Sequence, residues 1–443
     1  MNKLAILLLS LGLLAAARAV VLLTTHDATV STVRHSAQAH PDAELQALFA
    51  LPKAGGPNGT SRLWLGADCG TSLALPNNRT LWLFGDTLLG TWSNGQRNLD
   101  GCAMPHQTAA FQDGTGPLAF AWRESEASGM PTNLFWPVGS RDAAVLCGAP
   151  FSESTPYYWV VSGIESSAAS LPPGRLVLLA QRIIGTPGRG LGFAVLGTTL
   201  LVVDSSADPA RWAETHQAAD VTTCTSEATC ETWSAGIFAA KGCGPGCVYL
   251  AGGVGSAGAG HGQALLRGPL ASLLALKFDS LELLCADGSW RRHRPGQTPN
   301  GCAAAAAATV PAAGSQAMDL FPQQAELTLH FMPRLNRWVT ASFNGFAGQD
   351  LLLWVSQTDD VRGPWNSSIA YTLLPPWSNT SLYYAYAVKL HPHLATRDDE
   401  LVITFVANAW DMDGLFTRAE NRIYIPQVLR ITDLPALVPP RRS

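Results

Sequence analysis

One phrase recurs along this chain: a turn-type residue followed by a run of apolar, β-favouring residues. Its copies are RTLWLFGD (79–86), GRLVLLAQ (174–181), GCVYLAGG (246–253), NRWVTASFN (336–344) and DELVITFVAN (399–408). The copies start 95, 72, 90 and 63 residues apart, a mean of about 80, which is longer than the usual propeller blade repeat but compatible with four strands plus loops. Self-similarity at this spacing predicts an all-β chain folded as a five-bladed β-propeller over residues 60–432. A β-sandwich would also supply many short strands, yet it gives no reason for the same hairpin to return from end to end. Helical periodicity is scarce; DAELQALFAL (42–51) and PLASLLALKF (269–278) are each expected to form a couple of helical turns.

With 443 residues, 47% of them hydrophobic and 14% charged, the chain has ample material for a large core. Net charge is -4 and the densest basic run is RRHR at 291–294, so the basic stripe that nucleic-acid binding needs is missing. The N-terminus carries Lys3, an apolar run and the small-x-small sequence Ala17-Arg18-Ala19, the pattern of a secretory signal peptide over 1–19. A membrane anchor would need a longer apolar run, about 20 residues. Residues 20–59 are expected as an N-terminal segment, 295–317 as a low-complexity insert and 433–443 as a tail. Sequons at Asn58, Asn78, Asn366 and Asn379 fit an extracellular protein. Nine cysteines in such a chain point to disulfides, with Cys224/Cys230, Cys243/Cys247 and Cys285/Cys302 as candidate pairs and one cysteine left over. Zinc ligation by Cys224, Cys230, Cys243 and Cys247 is the alternative, although their spacing is irregular.

Chemistry concentrates in the first copy. In DCGTSLALPNNRTLWLFGDT (68–87), a turn centred on Asn77 pairs residues whose indices sum to 154, and Asp68 and Asp86 satisfy that sum. A two-residue Asn77-Asn78 turn would shift the register by one and leave both aspartates at the same open end. Directly opposed side chains have Cβ atoms on the order of 5 Å apart, and opposed like charges are destabilising. In a partly buried setting one carboxyl of such a pair has its pKa raised, which supplies an acid beside a base or nucleophile. A second hairpin, Glu326 to Asn344, has the same span, so Glu326 is expected to join Asp68 and Asp86 at one mouth of the propeller. Each of the three acids also has a plain structural reading as a turn or strand-end residue.

Trp136, Trp159, Arg182, Asn344, Tyr386, His391 and Asn408 lie near repeat ends. Aromatic platforms with Arg, Asn and His donors suit sugars, which present C–H faces and hydroxyls; core packing or turn chemistry is the alternative for each. DMDG at 411–414 lacks the remaining ligands of a calcium loop. Esterase, zinc-protease and nucleotide-hydrolase motifs are absent, and no metal or cofactor is expected.

GADCGTSLALPNNRTLWLFGDTLLG resembles the opening repeat of a family of secreted five-bladed propellers known as a domain of unknown function, with a G-x-D start followed by L-W-L-F-G-D-T. The stretches GRLVLLAQRIIG, YYAYAVKLHPHL, DELVITFVANAW and YIPQVLRI are similar to its later blades. Some members of that family are endo-acting D-arabinan hydrolases, and the fold is similar to that of arabinanases. The resemblance implies a glycoside hydrolase whose acidic pair is Asp68 and Asp86; Glu326 rests on the repeat. Where relatives carry an Asn-Ser pair after the first repeat, this chain has His106 and Gln107 in MPHQTAAF. The expected function is therefore a secreted glycoside hydrolase acting on a polysaccharide or glycan, with a furanoside of the arabinan type as a candidate substrate. Its rivals are a non-catalytic carbohydrate-binding or cell-surface propeller and a structural wall protein.

Overall fold

The computed structural model describes residues 38–54, 61–140, 145–148, 155–186, 192–224, 231–241, 243–254, 264–285, 287–295, 326–345, 348–411, 414–417 and 422–434. The expected signal peptide, the sequon at Asn58 and nearly all of the low-complexity insert lie outside these residues. The chain is mostly β, and its larger sheets are five antiparallel sheets of four or five strands. The first holds Thr71–Leu75, Arg79–Phe84, Thr108–Asp113 and Ala119–Ala121; the second Tyr157–Glu165, Arg175–Gly185, Phe193–Asp204 and Gln217–Thr223. The third holds Glu231–Ala239, Cys247–Val254, Ala264–Pro269, Glu282–Leu284 and Trp290–Arg292. The fourth holds Leu329–Met332, Arg337–Phe343, Asp350–Ser356 and Trp365–Thr372, and the fifth Tyr383–Leu390, Leu401–Ala409 and Pro426–Thr432. The fifth sheet takes its outer strand, Gln38–Pro41, from the other end of the chain, pairing Gln38 with Thr432 through Pro41 with Leu429. That segment lies before residues 60–432, over which the recurring phrase predicts the propeller.

Each copy of the recurring phrase forms the second strand of its sheet, and two-sided burial explains its apolar run. Side chains alternate between faces along a strand. Leu81 and Leu83 therefore enter the core shared with the second sheet, beside Leu176 and Leu178, while Trp82 and Phe84 enter the core shared with Val402 and Val428 of the fifth. The same alternation sends Val177 and Leu179 toward Val248 and Leu250 of the third sheet, Tyr249 and Ala251 toward Trp338 of the fourth, and Val339 and Ala341 toward Ile403 and Phe405 of the fifth. Each sheet thus packs on the next in sequence, and the fifth also packs on the first. Burying one such Leu, Val or Phe contributes roughly 1.5–3 kcal/mol. The two helical expectations correspond to the short helices Ala43–Gln46, capped by Asp42, and Leu270–Leu274.

Cys243 and Cys247 form a disulfide, which excludes their use as zinc ligands in this state, and Cys102 and Cys147 form another that spacing did not suggest. Cys224 and Cys285 are also disulfide-bonded, whereas Cys230 and Cys302 lie outside the described residues. Among the described residues the free cysteine is Cys69, which is buried. No helix among the described residues is long and apolar enough to cross a membrane.

One buried cation ties the first and last parts of the chain together. Arg97, 6% exposed, donates Nε to Leu65 O at 2.6 Å, Nη1 to Leu415 O at 2.7 Å and Nη2 to Ile423 O at 2.5 Å. Burial lowers its pKa to about 10. Arg97→Met strands three buried carbonyls and removes their charged donor, so it is expected to cost on the order of 3 kcal/mol. Denaturant titration checks this, with Arg97→Lys restoring only part because an ammonium cannot reproduce the planar fork.

Candidate active site

The hairpin register follows the index sum of 154, from Leu75 opposite Arg79 to Thr71 opposite Leu83. Asn77 and Asn78 make the turn in the left-handed region, φ 63° and 57°, which asparagine tolerates better than most residues. Beyond Thr71 the two chains leave the first sheet, yet the same register resumes with Ala67 opposite Thr87 and Gly66 opposite Leu88 in a smaller sheet. Asp68 and Asp86 occupy the joint. Asp68 N donates to Asp86 O at 3.3 Å and Gly85 N donates to Asp68 O at 3.1 Å. A Cβ at position 85 would collide with Asp68 Oδ1, so the Gly-Asp of LWLFGD leaves room for the other carboxylate.

The two acids have different surroundings. Asp86, 7% exposed, accepts two hydrogen bonds at Oδ1, from His106 Nδ1 and from Trp159 Nε1, both at 2.7 Å. The His106 ring stacks on Tyr157, with centroids 3.6 Å apart, and its backbone N donates to Asn133 Oδ1 at 2.6 Å. Asp68 keeps partial exposure and accepts at Oδ2 from Tyr386 at 2.8 Å and from Tyr424 at 3.4 Å. Burial pushes its carboxyl well above the ordinary value, the charges of Asp86 and Glu326 push it further, and the two tyrosine hydroxyls pull the other way. Burial, and then the charge of Asp68, raises the phenols of Tyr386 and Tyr424 well above their usual value.

Glu326 reaches this site by a different route from the one its spacing suggested. Its hairpin pairs Leu329 with Thr340 and Met332 with Arg337, one residue out of the register that would oppose Glu326 to Asn344. Leu327 N instead donates to Ala235 O of the third sheet at 2.7 Å. The Glu326 carboxylate pairs with Lys389 at 2.9 Å, close enough to Asp68 and Cys69 to add to the rise that burial gives both. Lys389 is 1% exposed and also donates to Val161 O at 2.7 Å. Burial alone would lower its pKa, but Cys69, Glu326 and Asp68 outweigh burial and raise it.

Of the other residues singled out by sequence, Trp159 and Tyr386 touch the aspartates, and Asn408 Nδ2 donates to the Tyr386 hydroxyl at 3.2 Å. Four stand apart in their hydrogen bonding. Arg182 pairs with Asp220 across its own sheet. Asn344 is exposed and closes a turn with Asp350. Trp136 donates to Thr132 Oγ1 at 3.3 Å, and His391, fully buried, is held between Ser72 Oγ at 2.5 Å and Thr404 Oγ1 at 2.8 Å. Gln107 supports the backbone, accepting from Phe135 N and donating to Tyr158 O. Tyr424 and Lys389 carry no local sequence pattern that marks them, because long-range packing brings them here.

Against known proteins, residues 59–259 match the model of a domain of unknown function (DUF5005); the matched segment holds both aspartates and ends before Glu326. No curated protein matches the sequence. Among solved structures, one from Bacteroides ovatus ATCC 8483, described as a "putative hydrolase", is 16% identical with a TM-score of 0.64, covering 90% of this chain and 91% of that one. That likeness establishes a shared fold. Looser matches include an endo-arabinase from Bacteroides thetaiotaomicron VPI-5482, 12% identical, TM-score 0.35, covering 83% of this chain and 94% of that one. A xylan β-1,4-xylosidase from Bacillus halodurans C-125 is 10% identical, TM-score 0.40, covering 78% of this chain and 50% of that one.

Two outcomes follow from this geometry. Gly85→Ala is expected to drive the Asp68 carboxylate off the Tyr386 hydroxyl and to cost roughly 1–3 kcal/mol, read from a crystal structure and a melting curve of the variant. Burial lowers His330 and His393 to about 4 and holds His391 well below 6.5; His330 further lowers His393, and His393 and Lys389 further lower His391. Because these folded values lie below the unfolded one, their stabilisation is present above about pH 6.5 and is lost as pH falls toward 4. For His330 and His393 the loss is on the order of 2 kcal/mol per ring once partial exposure is discounted. His330→Gln with His393→Gln should flatten the decline in melting temperature between pH 6.5 and 4.

Proposed function

We propose that the chain is a secreted glycoside hydrolase that cleaves an O-glycosyl bond in a polysaccharide or glycan, with its five sheets as the blades of a propeller and Asp68 and Asp86 facing the substrate in its funnel. The observation that carries this reading is the joint itself, two carboxylates clasped through backbone hydrogen bonds yet given opposite surroundings. A raised carboxyl beside one that accepts two N–H donors is the division of labour glycoside hydrolysis needs. Asp68 is the general acid, protonating the departing oxygen. Asp86 is the nucleophile or base, aimed by His106 and Trp159 at Oδ1. Glu326, held in place by Lys389, assists through the negative charge it sets near Asp68, which favours the protonated acid. Trp159, Tyr386 and Asn408 line the substrate side, and the cleaved unit is proposed to be a furanoside of the arabinan type. The fold shared with the Bacteroides ovatus structure is compatible with hydrolysis, and the disulfides with an extracellular setting.

Purified protein incubated with arabinan, arabinogalactan and plant or algal wall glycans is expected to release oligosaccharides, seen by chromatography. Asp68→Asn and Asp86→Asn should each lower the rate by on the order of 100- to 10,000-fold with melting preserved. Activity should persist well above the ordinary carboxylate range and fall as pH rises through the raised Asp68 value, since the acid must carry its proton. Binding of a glycan with no released product, or full activity in the double variant, would sink this assignment.

A further inference from the structure

A flight of aromatic rings climbs away from Asp68. Tyr386, whose hydroxyl meets the Asp68 carboxylate, stacks on Tyr384 with centroids 5.4 Å apart and planes at 25°. Tyr384 in turn lies 4.4 Å from Trp410 at 36°. Burial, and then the charges of Asp68 and Asp86, push the Tyr384 phenol up, so the middle ring stands within electrostatic reach of both carboxylates. Trp410 ends the flight at the surface with 47% exposure. Its Nε1 donates to Thr380 O at 2.9 Å and its backbone N to Leu382 O at 3.3 Å. The same turn borders a cavity of about 470 Å³ lined in part by Pro376, Asn379, Leu382 and Tyr383.

A large aromatic side chain held at the surface beside a cavity, and joined by stacked rings to a pair of acids, marks a binding surface. With its N–H engaged, the indole offers its apolar ring, the complement of the C–H face of a sugar. We propose that Trp410, backed by Tyr384, is a subsite that stacks a sugar ring of the polysaccharide chain adjacent to the unit held at Asp68 and Asp86. This rests on the glycan reading above and extends it from the cleaved bond to the chain flanking it. A polymer occupies the platform; a single glycoside unit at the carboxylates does not reach it.

The test compares wild type, Trp410→Ala and Trp410→Leu, produced without N-glycosylation because Asn379 borders the cavity. Retardation is measured in gels containing arabinan or arabinogalactan, and hydrolysis is measured on the same polymers and on a p-nitrophenyl monosaccharide glycoside. Both variants should lose about tenfold in polymer affinity, about 1.4 kcal/mol, and a similar factor in polymer cleavage at low concentration, with the aryl glycoside unaffected. The leucine variant keeps apolar bulk and guards against a folding defect. If wild type cleaves and both variants bind and cleave polymer as it does, the subsite falls while the hydrolase reading stands. If wild type binds without cleaving and the variants lose that binding, the subsite stands and the hydrolase reading falls. A wild type that neither binds nor cleaves these polymers overturns both.

Discussion

The site depends on a clasp of two backbone hydrogen bonds, from Asp68 N to Asp86 O and from Gly85 N to Asp68 O. They join Asp68 to two successive residues of the facing chain across the gap between two sheets, and the index-sum register resumes beyond them at Ala67 and Thr87. Two like charges fixed at such a joint repel, and nothing in the hairpin itself relieves the conflict. Relief comes from outside it: Asp86 takes two N–H donors, Asp68 takes two phenols, and burial with the neighbouring charges favours the protonated form of Asp68. The glycine before Asp86 is part of the same solution, since any larger residue there would displace the opposite carboxylate.

Local features of the sequence were legible where chain geometry alone decides. Pro76-Asn77-Asn78 sets a turn centre, and the period of two then dictates every partner down to the aspartates. The recurring apolar phrase was legible for a similar reason: a strand buried on both faces shows no alternation, and each copy proved to be the second strand of a sheet. Reasoning by symmetry did less well. Glu326 and Asn344 copy the spacing of the first hairpin but not its register, because Leu327 bonds to Ala235 of the preceding sheet, leaving Asn344 to a surface turn.

What escaped the sequence was set by contacts between distant segments. Tyr424 stands 356 residues from the aspartate it meets, and Lys389 stands 228 from Val161. The strand Gln38–Pro41 has an unremarkable sequence, and only its pairing with Pro426–Thr432 reveals its role. His391 shows the opposite case. A histidine after a strand end looks available to a ligand, but here it is fully buried and bracketed by Ser72 and Thr404.

The buried lysine explains how three acids can share one centre. Removing several like charges from water without compensation is prohibitive, since each buried ion costs several kcal/mol even after relaxation. Lys389 neutralises Glu326 and anchors the pair to Val161 O, while Asp68 avoids the cost by favouring its neutral form. In the proposed assignment this leaves Asp86, which accepts from His106 and Trp159, beside an acid that retains its proton. That is the division of labour an oxocarbenium-like transition state requires: one carboxylate to face developing positive charge, one proton for the leaving oxygen, and a third carboxylate, held by Lys389, whose charge favours the protonated form of Asp68.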